Sequence, residues 1–171
     1  NVNSLKVRLP HVLDWLKQHQ PDALCLQELK REEKNFPLAE IEAAGYHALF
    51  SGQKTYNGVA ILSKLPLQDV CAGIPGYADE QKRVLAGTLD GVRFFNDSKA
   101  TNLDAAARAL LSFPPGRVHL ILGGKDKGAD WSSLAPPVAE RARRVLLVGQ
   151  AAPAIREGLE GMVPLEDCGT L

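Results

Sequence analysis

The sequence predicts an α/β fold in which a mixed or antiparallel sheet is followed by a parallel sheet. In the first half, short apolar segments alternate with few helices, and Asp90-Gly91 separates two of these segments as a hairpin turn would. After Phe95, apolar strands alternate with helices, which is typical of parallel strands with helices on the faces of the sheet. Hydrophobic residues make up 45% of the 171 residues, which is enough for packed cores.

The first half begins with a helix and continues with strands and turns. Leucine and valine recur every three or four residues from Leu5 to Leu16, so we predict a helix over residues 5–20. The apolar run 23–28 predicts a buried strand. The other elements predicted here are a helix over 37–44 and strands over 46–51, 59–63, 82–89 and 92–95.

The second half follows a regular alternation of helix and strand. An alanine-rich helix over residues 103–113 ends at Pro114, and an apolar strand over 118–122 leads into Gly123-Gly124. A broken helix over 131–143, a strand over 144–148 and a helix over 151–159 complete this pattern. The change of pattern near residues 88–92 predicts two domains, residues 1–89 and residues 90–171.

Charge and cysteine content exclude several classes of protein. Lysine plus arginine equals aspartate plus glutamate at 20 each, which argues against a generally basic nucleic-acid coat or a membrane-surface protein. No run of 18 apolar residues occurs, so we expect no membrane span. Cys25, Cys71 and Cys168 lie far apart, a pattern typical of unpaired thiols, and we expect a cytoplasmic protein.

Polar residues at two strand ends form the first candidate site. Asn1 and Asn3 share one face of an extended segment, and Glu28 ends the next apolar strand. Amide and carboxylate oxygens suit Mg²⁺, which can polarise a phosphodiester. From the residues alone, the alternative is two capping asparagines and a surface glutamate.

Several segments in order then carry a resemblance. They are residues 1–5 (NVNSL), 26–30 (LQELK), 52–62 (GQKTYNGVAIL), 73–76 (GIPG) and 80–83 (EQKR). Together they resemble exonuclease III and the Mg²⁺-dependent apurinic-site endonucleases of the endonuclease/exonuclease/phosphatase fold.

The resemblance implies roles for individual residues. It implies that Glu28 binds the metal and takes part in catalysis, that Asn1 is the active-site asparagine, and that Asn3 assists the metal. It further implies that a loop contacts the backbone of DNA carrying an apurinic site. The loop residues concerned are Lys54, Tyr56 and Asn57.

The resemblance is incomplete in ways that affect catalysis. Leu29 stands where the family usually has threonine, beside the metal-binding glutamate. The family's Tyr-x-Pro-x-Gly, Gly-Asp-x-Asn and Ser-Asp-His segments do not occur in this sequence. Those segments supply the aspartate that activates water and the histidine that faces the phosphate, so we expect no positioned general base and no turnover.

The second half carries a different resemblance. Residues 96–102 (NDSKATN) and 122–130 (LGGKDKGAD) each follow a predicted strand end, where ligand crevices commonly form. Lys99 and Lys127 could meet phosphate or carboxylate there, or could be solvated loop lysines. Together these segments resemble the C-terminal domain of the Mur ligases that add D-glutamate to a UDP-linked muramoyl peptide.

This second resemblance also implies site residues and substrates. It implies that Asp97 meets the ribose of ATP, that Lys99 lies near the nucleotide and the acyl phosphate, and that Thr101 and Lys127 hold the carboxylates of D-glutamate. The phosphate-loop pattern Gly-x-x-x-x-Gly-Lys-[Ser/Thr] does not occur in the sequence, so ATP-dependent ligation is not expected.

The sequence therefore resembles a chimera of a nuclease half and a ligase segment, with three functions open. These are a Mg²⁺-dependent nuclease-like protein, a module that binds nucleotide or D-glutamate, and a non-catalytic interaction fragment. We expect a shared sheet across the join, with the strand ending at Phe95 beside the strand ending at Leu122.

The join also predicts an exposed apolar surface. An apolar sheet face that includes Leu24, Leu26, Val59 and Ile61 requires cover from the segment after Asn102. Incomplete cover would leave an apolar patch and predicts a homo-oligomer.

Overall fold

A computed structural model describes residues 1–125 and 128–169 of the chain. The chain divides into two compact units, Asn1–Lys99 and Ala100–Leu171. In the described ranges, none of the helices combines the length and the apolar character that a membrane crossing requires.

The first unit contains two helices and two antiparallel sheets. In chain order its elements are α1 (Leu5–His19), β1 (Ala23–Gln27), a 3-10 turn (Glu33–Asn35), α2 (Leu38–Ala43), β2 (His47–Ser51), β3 (Val59–Ser63), β4 (Gln68–Ala72), β5 (Val84–Leu89) and β6 (Val92–Asp97). The first sheet has the order β1-β3-β2, and the second sheet has the order β4-β5-β6. Both are antiparallel throughout, as the first-half pattern predicts.

Both faces of the first sheet are covered within the first unit. Leu26 and Ala60 pair across β1 and β3 and belong to a core that contains Leu5 and Leu16 of α1. On the opposite face of β3, Val59 and Ile61 are fully buried. They share a second core with Leu85 of β5 and Phe94 of β6. The unit is therefore a helix layer, the first sheet and the second sheet.

The arrangement corrects the expectation of one exposed apolar face. Because strand side chains alternate between faces, Leu24 and Leu26 lie on the helix side, whereas Val59 and Ile61 lie on the side of the second sheet. The hairpin of β5 and β6 supplies the cover that was expected from residues after Asn102. The homo-oligomer was predicted from an uncovered apolar sheet face, and both faces of this sheet are covered. Oligomerisation therefore stays a prediction without that support.

A buried asparagine joins the two sheets. Asn96 of β6 is 2% exposed, and its Nδ2 donates to the carbonyl oxygens of Leu26 and Ala60, each at 2.9 Å. Its Oδ1 accepts a hydrogen bond from Nε2 of Gln27 at 3.0 Å. The first residue of the ligase-like segment thus stabilises the nuclease-like half.

The second unit is a parallel sheet with helices. Its elements are α3 (Leu103–Leu111), β7 (Val118–Gly123), a 3-10 turn (Trp131–Leu134), α4 (Ala135–Arg141), β8 (Ala142–Val148), α5 (Ala152–Leu159) and β9 (Leu165–Asp167). The third sheet has the order β7-β8-β9, with both pairs parallel, which confirms the predicted parallel strands. Val145 and Leu147 of β8 are fully buried against Leu134, Val138 and Ile155.

The expected shared sheet across the join is wrong for the described residues. β6, which contains Phe95, pairs antiparallel with β5, whereas β7, which contains Leu122, pairs parallel with β8. The Asp90-Gly91 turn explains the difference, because a tight hairpin returns the chain beside β5 and keeps β6 in the second sheet.

Candidate functional site

Three chain segments converge in the first unit at the residues that the sequence singles out. The N–H of Val2 donates to the carbonyl of Gln27, and the N–H of Ser4 donates to that of Glu28, both at 2.9 Å. The N–H of Lys30 donates to the carbonyl of Asn57, also at 2.9 Å. These bonds bring the N-terminal segment, the end of β1 and the loop 52–58 together, as the expected clustering of Asn1, Asn3 and Glu28 requires.

The centre of this cluster is the ammonium group of Lys30. Its Nζ donates to Oδ1 of Asn3 at 2.6 Å and lies 3.9 Å from Oε2 of Glu28. Oδ1 of Asn1 accepts a hydrogen bond from the N–H of Asn3 at 3.0 Å, which fixes the turn that presents Asn3. Lys30 is a site residue that no sequence motif singles out, although it belongs to the LQELK segment.

Gly58 allows the loop 52–58 to lie against the end of β1. Gly58 has φ +86°, and a Cβ added to it would lie 2.9 Å from Cβ of Leu29, so an L side chain would be both strained and crowded. The N–H of Leu29 donates to the carbonyl of Gly58 at 3.1 Å. Leu29, which departs from the family pattern, is fully buried and packs in the core of the helix layer.

The same loop is joined to the segment before β5. Oε1 of Gln53 accepts hydrogen bonds from Nδ2 of Asn57 and from the N–H of Lys82, each at 3.1 Å. The N–H of Gly58 donates to the carbonyl of Lys82 at 2.9 Å. Lys54 and Tyr56 remain exposed on this loop, Tyr56 at 66%.

Backbone strain is concentrated in these segments. Residues other than glycine rarely adopt positive φ, and such strain often occurs at functional sites. Residues with φ between 43° and 91° here are Asn3, Ser4, Glu28, Lys30, Thr55 and Asn57.

A second polar cluster lies beside Lys82. The carboxylate of Asp79 is 3.4 Å from Nη2 of Arg83 and 3.5 Å from Nζ of Lys99, and Nζ of Lys99 lies 4.6 Å from the centroid of the Tyr77 ring. The N–H of Gln81 donates to Asp79 at 2.9 Å. That bond lowers the pKa of Asp79, and the charges of Arg83 and Lys99 lower it further.

Comparison with known proteins supports the resemblance of the first unit to exonucleases and AP endonucleases. Residues 1–157 match the family described as Endonuclease/Exonuclease/phosphatase family. The chain belongs to this family. It is 52% identical to the 3'-5' exonuclease NExo from Neisseria meningitidis over 57% of this chain and 39% of that chain, with a TM-score of 0.56. It is 35% identical to an AP endonuclease from Archaeoglobus fulgidus over 66% of this chain and 45% of that chain, also with a TM-score of 0.56.

The chain is also similar to curated ligases, so both resemblances of the chimera are confirmed. It is 49% identical over 94 residues to the UDP-N-acetylmuramoylalanine–D-glutamate ligase of Acidobacterium capsulatum, covering 55% of this chain and 20% of the relative. It is 36% identical over 159 residues to that of Koribacter versatilis, covering 88% and 35%. The chain thus spans a fifth to about a third of the length of these relatives.

The residues present do not fit a Mg²⁺ ion in the arrangement that the structure shows. Glu28 and Asn3 supply one carboxylate and one amide oxygen, and the ammonium group of Lys30 contacts both. Residues 1–125 and 128–169 contain no group of three or more His, Cys, Asp or Glu side chains able to hold a metal. A Mg²⁺ ion that used both oxygens would have to displace this ammonium group and would then lie close to its charge.

The ligase-like residues are distributed between the two units. Asp97 ends β6, and its Oδ1 accepts a hydrogen bond from the N–H of Lys99 at 2.7 Å, so both residues belong to the first unit. Thr101 is exposed and belongs to the second unit. Lys127 lies outside the described residues. The expectation that these residues line the carboxyl edge of one parallel sheet is wrong for the described residues, because Asp97 ends a strand of an antiparallel sheet. The roles assigned to them stay predictions.

The second unit retains close backbone packing at the carboxyl ends of its strands. A Cβ on Gly123 would lie 1.9 Å from the carbonyl oxygen of Val148, so only glycine fits there. The N–H of Gly124 donates to that same carbonyl at 3.1 Å, and the N–H of Ala151 donates to the carbonyl of Gly124 at 3.0 Å. Ligands of parallel sheets commonly bind at this edge.

Proposed function

We propose that the first unit binds the backbone of DNA at an apurinic site and that this chain does not cleave it. The observation that carries this proposal is the convergence of Glu28, Asn3 and Lys30 with the loop that presents Lys54 and Tyr56. Basic and aromatic side chains on an exposed loop suit contact with phosphates and unstacked nucleotides.

The lack of turnover follows from the chemistry that is missing. Hydrolysis of a phosphodiester requires a group that removes a proton from water and groups that stabilise charge on the phosphate. The sequence lacks the segments in which the family carries its aspartate and histidine for these steps. Lys30 and Lys54 can bind anionic phosphate, but a protonated ammonium cannot accept the proton of water.

Binding to a labelled duplex that contains one apurinic site tests the proposal by fluorescence anisotropy. We expect saturable binding, and we expect Lys54→Ala to reduce the slope of log affinity against log salt by about one, the value for one lost phosphate contact. Lys64→Ala is the matched control, because Lys64 follows β3 at the end away from the loop and pairs with Asp22 at 3.5 Å.

A cleavage assay on the same duplex with Mg²⁺ tests the second half of the proposal. We expect no nicked product above background. Product that disappears in a Glu28→Ala variant would show that the chain turns over and that another residue serves as the base.

A second candidate function is binding of D-glutamate or ATP by the second unit. The close packing around Gly123 and Gly124 at the carboxyl edge of the third sheet favours it. Calorimetric titration with D-glutamate, ATP and the UDP-linked muramoyl peptide tests this function. A heat of binding that Thr101→Ala and Lys127→Ala abolish would support it.

The free thiols Cys25, Cys71 and Cys168 support a reducing cytoplasm as the place of action.

A further inference from the structure

The ammonium group of Lys30 contacts both side chains that the family resemblance assigns to a divalent cation, those of Asn3 and Glu28. It donates to Oδ1 of Asn3 at 2.6 Å and lies 3.9 Å from Oε2 of Glu28. The first distance is that of a short charge-assisted hydrogen bond, and the second is that of an ion pair. One unit of positive charge is therefore already shared by both oxygens.

The position of this ammonium group is determined by the local backbone. Lys30 has φ 49°, and its N–H donates to the carbonyl of Asn57 at 2.9 Å. The carbonyl of Glu28 accepts from the N–H of Ser4 at 2.9 Å, which keeps the Asn3 segment alongside. The side chains of Lys30 and Glu28 are 29% and 28% exposed, so neither is freely solvated.

We propose that the ammonium group of Lys30 is a resident cation of this site. It neutralises the carboxylate of Glu28, occupies the Oδ1 acceptor of Asn3 and competes with divalent metal ions. A divalent ion that binds both oxygens must displace the ammonium group and must then lie close to its charge. The ammonium group also offers donors to a phosphate oxygen, so DNA binding by the first unit does not require a divalent cation. The part that concerns DNA rests on the proposed function, whereas the part that concerns metal does not.

Titration of the full chain with Mn²⁺ alone, followed by the electron paramagnetic resonance signal of free Mn²⁺, tests the competition. We expect the wild type to show only weak binding, in roughly the millimolar range, because the Lys30 ammonium group already contacts Asn3 and Glu28 and repels the incoming cation. Lys30→Gln should gain one saturable site with affinity at least about tenfold higher, because the competing charge is gone. Adding Glu28→Gln to that variant should remove the gain.

Two controls separate this competition from a general change of charge or fold. Lys30→Arg keeps the positive charge and should not gain the Mn²⁺ site. Lys34→Gln removes one charge from the same segment between β1 and α2 and should not gain the site either. Nζ of Lys34 lies 3.4 Å from Oε2 of Glu32. Wild-type binding as tight as that of Lys30→Gln, or an equal gain in either control, would overturn the proposal.

DNA binding in the presence of EDTA tests the remaining part. We expect the anisotropy titration of the apurinic duplex to be unchanged by EDTA, and binding that EDTA abolishes would contradict a resident cation. If the chain does not bind the duplex under any condition, the proposed function fails, while the Mn²⁺ titration still decides the role of Lys30.

Discussion

The two units use their family-like segments in different ways. In the first unit, β1, β3 and the loop 52–58 are all present, and backbone hydrogen bonds place Asn3, Glu28 and Lys30 together. In the second unit, the third sheet is present, but Asp97 and Lys99 of its family-like segment belong to the first unit. A family motif keeps the geometry it has in its family only when the strands that position it are also present.

The ligase-like segment 96–102 illustrates this dependence. Asn96 joins the two sheets of the first unit, and Lys99 pairs with Asp79, whereas Asn102 caps α3 of the second unit. The two ends of one segment therefore contribute to the stability of different units. Trp15 packs in the first unit and Trp131 in the second, so the fluorescence of each tryptophan reports the unfolding of its own unit. The effects of substitutions at the two ends of the segment can therefore be compared.

The largest effect is expected for Asn96→Ala. The substitution removes three hydrogen bonds and leaves the buried carbonyl oxygens of Leu26 and Ala60 without this donor, so the free energy of unfolding of the first unit should fall by about 3 kcal/mol. Urea unfolding followed by the fluorescence of Trp15, in a Trp131→Phe background, measures this change.

The matching measurement uses the other tryptophan. In a Trp15→Phe background, Asn96→Ala should leave the transition of Trp131 unchanged. An equal shift of both tryptophan transitions would show that the units unfold together, and the comparison between them would then break down.

The fold was more predictable from the sequence than the site was. The helical spacing of apolar residues in α1 and the continuous apolar run of β3 predicted both elements nearly to the residue. The sequence did not reveal β4 or β9. β4 begins with Gln68 and Asp69 and is mostly exposed, and β9 has only three residues, so neither shows the alternation by which strands are recognised.

The candidate site was predictable where adjacent strands determine it. Asn3 and Glu28 lie together because the N-terminal segment is hydrogen-bonded along the end of β1. The expectation that Asn1 and Asn3 share one face of an extended segment is wrong, because Asn3 has φ 43° and lies in a turn. The position of the Lys30 ammonium group was not predictable, because Glu28 and Lys30 have positive φ, a conformation that residues other than glycine rarely adopt. The role of Asn96 was also hidden, because its partners are more than 30 residues distant in sequence.

A smaller effect is expected at the other end of the segment. Oδ1 of Asn102 accepts a hydrogen bond from the N–H of Ala105 at 2.8 Å, so Asn102→Ala should destabilise the second unit by about 1 kcal/mol. The transition of Trp131 should shift, and that of Trp15 should not. Asn102→Asp keeps an acceptor at the cap and should preserve most of the stability; a loss as large as that of alanine would count against the cap.

The smallest effect is a pH dependence that Asp79 confers on the first unit. The hydrogen bond from Gln81 and the charges of Arg83 and Lys99 lower the pKa of Asp79 in the folded state. A lowered folded pKa stabilises the fold above the unfolded value of about 4, and this contribution disappears as the pH falls through the folded pKa. Asp79→Asn should therefore be less stable than the wild type at pH 7, and the difference should shrink on acidification. Urea unfolding followed by Trp15 fluorescence at several pH values measures this difference.

Asp22→Asn is the control, because the pair of Asp22 with Lys64 is largely exposed and contributes little. A difference between Asp79→Asn and the wild type that stays constant with pH would show that Asp79 acts through packing and not through its charge.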